Sequence, residues 1–141
     1  MGSRVLDVDL ELFLTGFIRS ELFKLGTPLA QGVFVSNKFP ERARPKTVVV
    51  RDDSGQSTSI ITTQPAVGVT VLAGDDPSQG GEATNLARLV KMIVNDSARA
   101  EPGNPIARVI NSTGPYKVPD ESGQPRRYMT FTLSVVGTPY D

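Results

Sequence analysis

The stretch RRYMTFTLSVVG, residues 126–137, constrains this chain more than any other part of it. Met129, Phe131, Leu133 and Val135 fall on one side and Tyr128, Thr130, Thr132 and Ser134 on the other. Successive side chains of a strand point to opposite faces, so this alternation specifies an antiparallel strand with one covered side. Its apolar side needs a helical layer, and its polar side meets solvent or a neighbour.

Two segments offer that layer. Residues 7–25, DVDLELFLTGFIRSELFKL, space Leu10, Phe13, Leu14, Phe17, Ile18, Leu22 and Leu25 by threes and fours, with Asp7, Asp9 and Glu11 at the end where a helix favours negative charge. Gly16 costs about 1 kcal/mol relative to Ala in a helix interior, so it either permits a close contact or weakens the element. Gly26, followed by Thr27-Pro28, stops the helix. The second helix begins near Gly81-Glu82 and puts Ala83, Leu86, Ala87, Val90, Ile93 and Val94 on one face, with Arg88, Lys91 and Asn95 opposite.

Extended segments fill the rest. Residues 32–35 form a short strand, followed by a basic, turn-rich connection carrying Lys38, Arg42, Arg44 and Lys46. Residues 47–51 form a strand and DDSGQS a polar turn, with extended structure resuming at 59–63; Asp52 and Asp53 are thus expected at a hairpin tip. Pro65 predicts a bend or bulge before AVGVTVLAG, whose Val67, Val69 and Val71 share a face. A strand starts at 106–111. Residues 112–125 alternate turn signals with short extended pieces, predicting a protruding hairpin with its tip at Asp120 to Gly123. The sum is one α+β domain over residues 1–141: a mixed or antiparallel sheet, two helices mainly on one face, and extended hairpin loops.

Composition narrows function. The chain has 15 Lys plus Arg, 15 Asp plus Glu, no His and no Cys. A net charge of zero argues against broad phosphate neutralisation, and the missing residue types remove thiolate chemistry and the commonest metal ligand. No cofactor is expected. Asp75, Asp76 and Glu82 could offer oxygen ligands to a hard cation, but without calcium-loop spacing they read as loop charge and a helix start. The glycines of DPSQGGEATN lack phosphate-loop spacing, and no G-x-S-x-G elbow or His base exists to activate a serine. An enzyme is therefore not expected. With no apolar run long enough to span a bilayer, and acids interrupting the N-terminal region, the expectation is a soluble chain made in the cytoplasm with no membrane partner.

What remains is surface for other proteins. Tyr116-Lys117 and Arg126-Arg127-Tyr128 juxtapose aromatic and basic groups of the kind that anchor interfaces. Arg88, Arg99 and Arg108 could meet a neighbour's acids, and balanced charge suits a ring in which one subunit's basic edge meets the next one's acidic edge. Lys38, Arg42, Arg44, Asp52, Asp53, Arg88, Tyr116, Lys117, Asp120, Glu121, Arg126 and Arg127 are the candidate interface residues.

The helix DVDLELFLTGFIRSELF, the strand and turn KTVVVRDDSG, the run from TTQPAVGVTVLAG through GGEATNLARLVKMIV and the paired segments around GPYKVPDESGQPRRYMTFTLSVVG together resemble the tail terminator proteins of long, non-contractile-tailed bacteriophages. The likeness spans residues 5–137 and lies in segment order and character, without a short diagnostic motif. It implies a subunit of a hexameric ring that sits on the last ring of tail-tube protein, stops tube growth and joins head-completion or connector proteins. DNA would pass through the ring without specific recognition, and the chain would reside in the virion at the tail–head junction. On this likeness loops 36–46 and 112–125 are docking elements and the sheet edges ring contacts. Alternative readings are another head–tail neck connector or head-completion protein, a carboxylate-dependent hydrolase using Asp75, Asp76 and Glu82, and a small ligand-binding domain.

Overall fold

A computed structural model describes residues 4–140. The elements run β1 (Val5–Leu6), α1 (Leu10–Leu25), β2 (Phe34–Ser36), β3 (Lys46–Ser57), β4 (Thr62–Ala73), α2 (Gly80–Asn95), β5 (Ile106–Val118), β6 (Arg126–Val136) and β7 (Thr138–Pro139). Five strands form one sheet in the order β2-β3-β4-β6-β5, and β1 pairs with β7 in a separate ribbon. All neighbours in the sheet are antiparallel except β2 and β3, so the fold is α+β with a mixed sheet.

The pleat of β6 sets the layers. Met129, Phe131, Leu133 and Val135 are buried, and the residues between them are half-exposed. Val67, Val69 and Val71 of β4 share that core, as do Val48 and Val50 of β3. From α2 come Ala83, Leu86, Ala87, Val90, Ile93 and Val94, the six positions its periodicity marks. Leu10, Leu14, Ile18 and Leu22 of α1 complete the core, with α1 over β3 and β2 and α2 over β4, β6 and β5. Leu25, assigned to the same apolar face, is exposed at the helix end.

Several expectations shift. Helix α1 starts at Leu10 because the Asp9 carboxylate accepts the Leu12 N–H and caps it; Asp7 lies outside the helix. Gly16 meets no side chain that a Cβ would touch, so it permits no close contact within the chain. The segment 52–57 is not a turn. Strand β3 continues through it across a register shift between Asp52 and Gly55, where Ser54 has a φ of 62°. Pro65 faces this bulge as the partner of Gly55, so β4 accommodates a residue that cannot donate to the ladder. The actual turn lies at 58–61, where Thr58 N–H donates to the Thr62 carbonyl and the Ser59 hydroxyl accepts from the Ile61 and Thr62 amides. Serine and threonine bonds shape it, and that leaves the β-branched Ile60 and Ile61 exposed at the tip. Residues 112–118, expected to break into pieces, belong to the single strand β5, which keeps its pairing with β6 through register shifts.

Arg99 ties the helices together. Its guanidinium donates to Glu21 of α1 and to Asp96 at the end of α2, each at 2.7 Å, and its Cζ lies 4.9 Å from the Phe17 ring centroid. The bond from Arg99 holds the Glu21 carboxyl below its ordinary range, against the opposing effect of burial. A carboxyl whose folded pKa is depressed contributes stability that is complete above its unfolded value and lost as pH falls through the folded one. The contribution of this pair is therefore present at pH 7 and fades below about pH 4. Glu21→Gln should flatten the acid limb of the melting-temperature profile; an acid limb identical to that of the parent protein would show that the ion pair does not contribute.

Candidate assembly surface

The second face of the sheet, away from the helices, carries Thr47, Val49 and Arg51 of β3, Gly68, Thr70 and Leu72 of β4, and Arg126 and Tyr128 of β6. Gly68 lets the Tyr128 ring lie across the strand: a Cβ there would stand 2.4 Å from the tyrosine oxygen. Two connections rise beside this face, residues 37–45 and 119–125. They meet. Gln124 Nε2 donates to the Arg44 carbonyl at 2.8 Å, and Arg126 Cζ lies 5.4 Å from the Phe39 ring centroid. Arg44 in turn stacks over Phe34, with Cζ 4.3 Å from the ring centroid.

Between these connections is an open groove of about 610 Å³, lined by Phe39, Pro40, Ala43, Thr47, Leu72, residues 119–122, Gln124 and Arg126. A second hollow of about 360 Å³ continues it across the sheet, sharing Phe39 and Arg126. Asp120 accepts from the Ser122 hydroxyl at 2.5 Å and from Arg126 Nη1 at 3.3 Å. The Ser122 hydroxyl first, and then Arg126, keep the Asp120 carboxyl below its ordinary range despite partial burial. The turn is thus pre-shaped by its own side chains.

Of the twelve candidate residues, Asp120, Glu121 and Arg126 line this groove, and Lys38, Arg42 and Arg44 line a separate hollow that shares Phe39, Pro40 and Ala43 with it. Lys117 flanks the groove beyond the turn, in a shallow hollow shared with Arg126. Tyr116, 56% exposed, stands one residue away on β5 opposite Tyr128. Arg88 lies elsewhere, exposed on α2. Asp52 and Asp53 are not at a hairpin tip but at the β3 bulge, where the Asp52 amide donates to Glu11 and Asp53 pairs with Arg51 at 2.7 Å.

Arg127 is a correction of a different kind. It is 7% exposed and belongs to the core side of β6, donating to Thr84 Oγ1 and to the Gly80 carbonyl at 3.0 Å each, so it fastens the start of α2 to the sheet. Its guanidinium is thus largely taken up within the chain. The alternation carried that signal, since 127 has the same parity as 129, 131 and 133. Asp75, Asp76 and Glu82 do not converge either; among the described residues no group of three or more His, Cys, Asp or Glu is placed to hold a metal ion. Asp76 instead caps the short turn before α2 through Ser78 and Gln79.

Sequence reasoning missed Phe39 and Thr47, and noted Tyr128 only as the aromatic beside Arg126 and Arg127. Phe39 had one weak cue, an aromatic next to Pro40 inside a basic loop. Thr47 looks like an ordinary strand residue, and only the sheet order places it and Tyr128 on the face beside the loop.

The opposite end of the molecule has a contrasting texture. Gly137 N–H donates to the Ile61 carbonyl, Thr62 pairs with Val136, and Leu6 pairs with Thr138. Exposed Leu6, Ile60, Ile61, Val136 and Tyr140 therefore share one apolar end. Strand β3 connects the two ends, and its twelve residues from Lys46 to Ser57 span at most roughly 35 Å at about 3.3 Å per residue, less the shortening at the bulge. Among the described residues no helix is long and apolar enough to cross a membrane. No protein-family model matches this chain, and no curated protein matches it at a significant level.

Proposed function

We propose that this chain is a structural virion protein that caps the end of a phage tail tube as a ring, stops its growth and offers the joining surface for the head. The observation that carries this reading is the pair of unlike surfaces at the two ends of one sheet, up to roughly 35 Å apart. One is polar and basic, built from loops 36–46 and 119–125; the other is apolar, built from the β3–β4 turn and the β1–β7 ribbon. A piece that must bind a tube on one side and head proteins on the other needs two such surfaces.

The sheet borders are consistent with lateral contacts made by side chains. Strand β5 forms one border along all thirteen of its residues, but its register shifts and Lys117 interrupt a flat hydrogen-bonding edge. Beyond Val49 the other border is β3, where Glu11 already takes the Asp52 amide. Neighbouring copies would then meet through side chains and loops. A standard interface of that kind buries about 1,200–2,000 Å² at each junction.

Electron microscopy of negatively stained, polymerising tail-tube protein tests the reading. With this chain present, tubes should stop at shorter lengths and carry a ring at one end, and light scattering should register a hexamer on the tubes. Tubes that grow unchecked while the chain stays monomeric would sink it. Rings found on the head side of the neck and never on tube ends would assign the chain to head completion instead.

A further inference from the structure

A surface helix buries one apolar stripe and turns polar residues outward. Helix α2 largely keeps to this, exposing Glu82, Asn85, Arg88 and Asn95 alongside Met92. Helix α1 does not. Leu10, Leu14, Ile18 and Leu22 fill the core, and on the opposite side Leu12 and Phe23 stand 70% and 77% exposed. With about 3.6 residues per turn, positions 12, 16 and 23 follow one line along the helix, so Gly16 lies between the two apolar side chains. A Cβ on Gly16 would meet nothing within 4 Å. Glycine weakens a helix interior, and nothing within the chain uses the space this one leaves. That space suits an incoming helix, because packed helices come closest where the side chains between them are small. Arg19, beside the line, is drawn aside: its guanidinium donates to the Val35 carbonyl at 2.8 Å.

The charge along α1 selects what comes in. Asp7 and Asp9 lie at its start with no cation within salt-bridge distance among the described residues. Lys24 lies in its last turn and shares its partner Glu21 with Arg99, and Lys46 donates to the Pro28 and Leu29 carbonyls just beyond. A helix acidic at one end, basic at the other and apolar between is complementary to a copy of itself turned end for end, whereas a parallel copy would set like charges together. With Leu12 of each copy against Phe23 of the other, Gly16 falls opposite the stem of the partner copy's residue 19, and each acidic end meets lysines.

We propose that the outer face of α1 is a twofold contact, on which a second copy of this chain docks its own α1 antiparallel. With two large apolar side chains from each copy, the contact stays below the roughly 1,200 Å² of a standard interface, so the dimer is weak and reversible. It does not rest on the capping reading, whose ring contacts run through the sheet borders.

Sedimentation equilibrium of the full chain from about 10 μM to about 1 mM, a range that brackets a weak dimer, tests this. The mean mass should rise towards twice that of the monomer. Phe23→Ser and Leu12→Ser, at exposed positions, should each weaken dimerisation at least about tenfold. Gly16→Gln separates the contact from the fold. As a better helix former it should raise the melting temperature by about 3–5 °C, yet weaken dimerisation at least about tenfold. Orientation is read by NMR with a nitroxide on Thr27→Cys, a unique thiol in a chain without cysteine. Carried by unlabelled copies, it should broaden the amide signals at the start of α1, around Leu12, in isotope-labelled copies. A chain still monomeric at the highest concentration, self-association that none of the three substitutions alters, or broadening around Phe23 instead would each overturn the proposal. Copies that pair yet fail to cap tubes would sink the capping reading alone, and capping by a chain that never pairs in their absence would sink this inference alone.

Discussion

Phe131→Ala should destabilise the protein by about 3–5 kcal/mol, the cost of emptying a buried aromatic site. Phe131 is fully buried in the middle of β6, paired with Val67 of β4 and Ser112 of β5, beneath the helical layer. No solvent-facing route exists by which the site could collapse without moving two strands or a helix. For a domain whose total stability is of order 5–15 kcal/mol, the loss is a large fraction. It should lower the melting temperature by roughly 10–20 °C. Thr132→Ala, one residue on and half-exposed, should cost about 1 kcal/mol or less. Equal urea midpoints for the two variants would mean that the pleat does not separate a core side from an open one.

Gly114→Ala should cost about 2–4 kcal/mol and should also disturb the basic end. Gly114 has a φ of 92°, where a side chain costs roughly 1–2 kcal/mol by itself. A Cβ there would also stand 2.5 Å from the Tyr128 carbonyl oxygen and 3.2 Å from Met129 Cα. Both are backbone atoms of β6, so no rotamer change relieves the contact and β5 has to pull away. The Gly114 carbonyl, which accepts from Lys91 at 2.6 Å, would move with it. Pairing of Tyr116 with Tyr128, Lys117 with Arg127 and Val118 with Arg126 positions the 119–124 turn, so the groove should open or shift with the strand. Urea unfolding reads the first effect and the amide signals of Thr47 and Arg126 the second. A variant with the parent midpoint and unshifted groove signals would contradict the close approach of β5 to β6.

The parts of this molecule legible in the sequence are those encoded over a few neighbouring residues. The six buried positions of α2 follow from spacing by threes and fours, and the core side of β6 from alternation, because each side chain's direction is fixed by the local backbone. The tip at Asp120 to Gly123 was legible for the same reason: Gly123 N–H closes the turn on the Asp120 carbonyl. Misreadings arose where local signals competed. Asp52, Asp53 and Gly55 have turn chemistry, yet continued pairing with β4 holds them in a bulged strand.

The candidate surface was legible only in its ingredients. Lys38, Arg42, Arg44 and Asp120 stood out as charges in two separate loops and Arg126 at the start of a strand, but the contact between Gln124 and the Arg44 carbonyl joins residues 80 apart in the chain. Thr47 carried no signal of its own, and Tyr128 only that of an aromatic next to two arginines.

By itself the sequence determined the class of the fold, the two helix faces and the buried side of β6, because burial of an amphipathic element is written in its period. Only the tertiary structure decided the order β2-β3-β4-β6-β5, the parallel β2, the division of Arg126 and Arg127 between groove and core, and the roof of Phe39 over the second face. Those features depend on which distant segments share one sheet, and that choice is made by the packing of the whole chain rather than by any stretch of it.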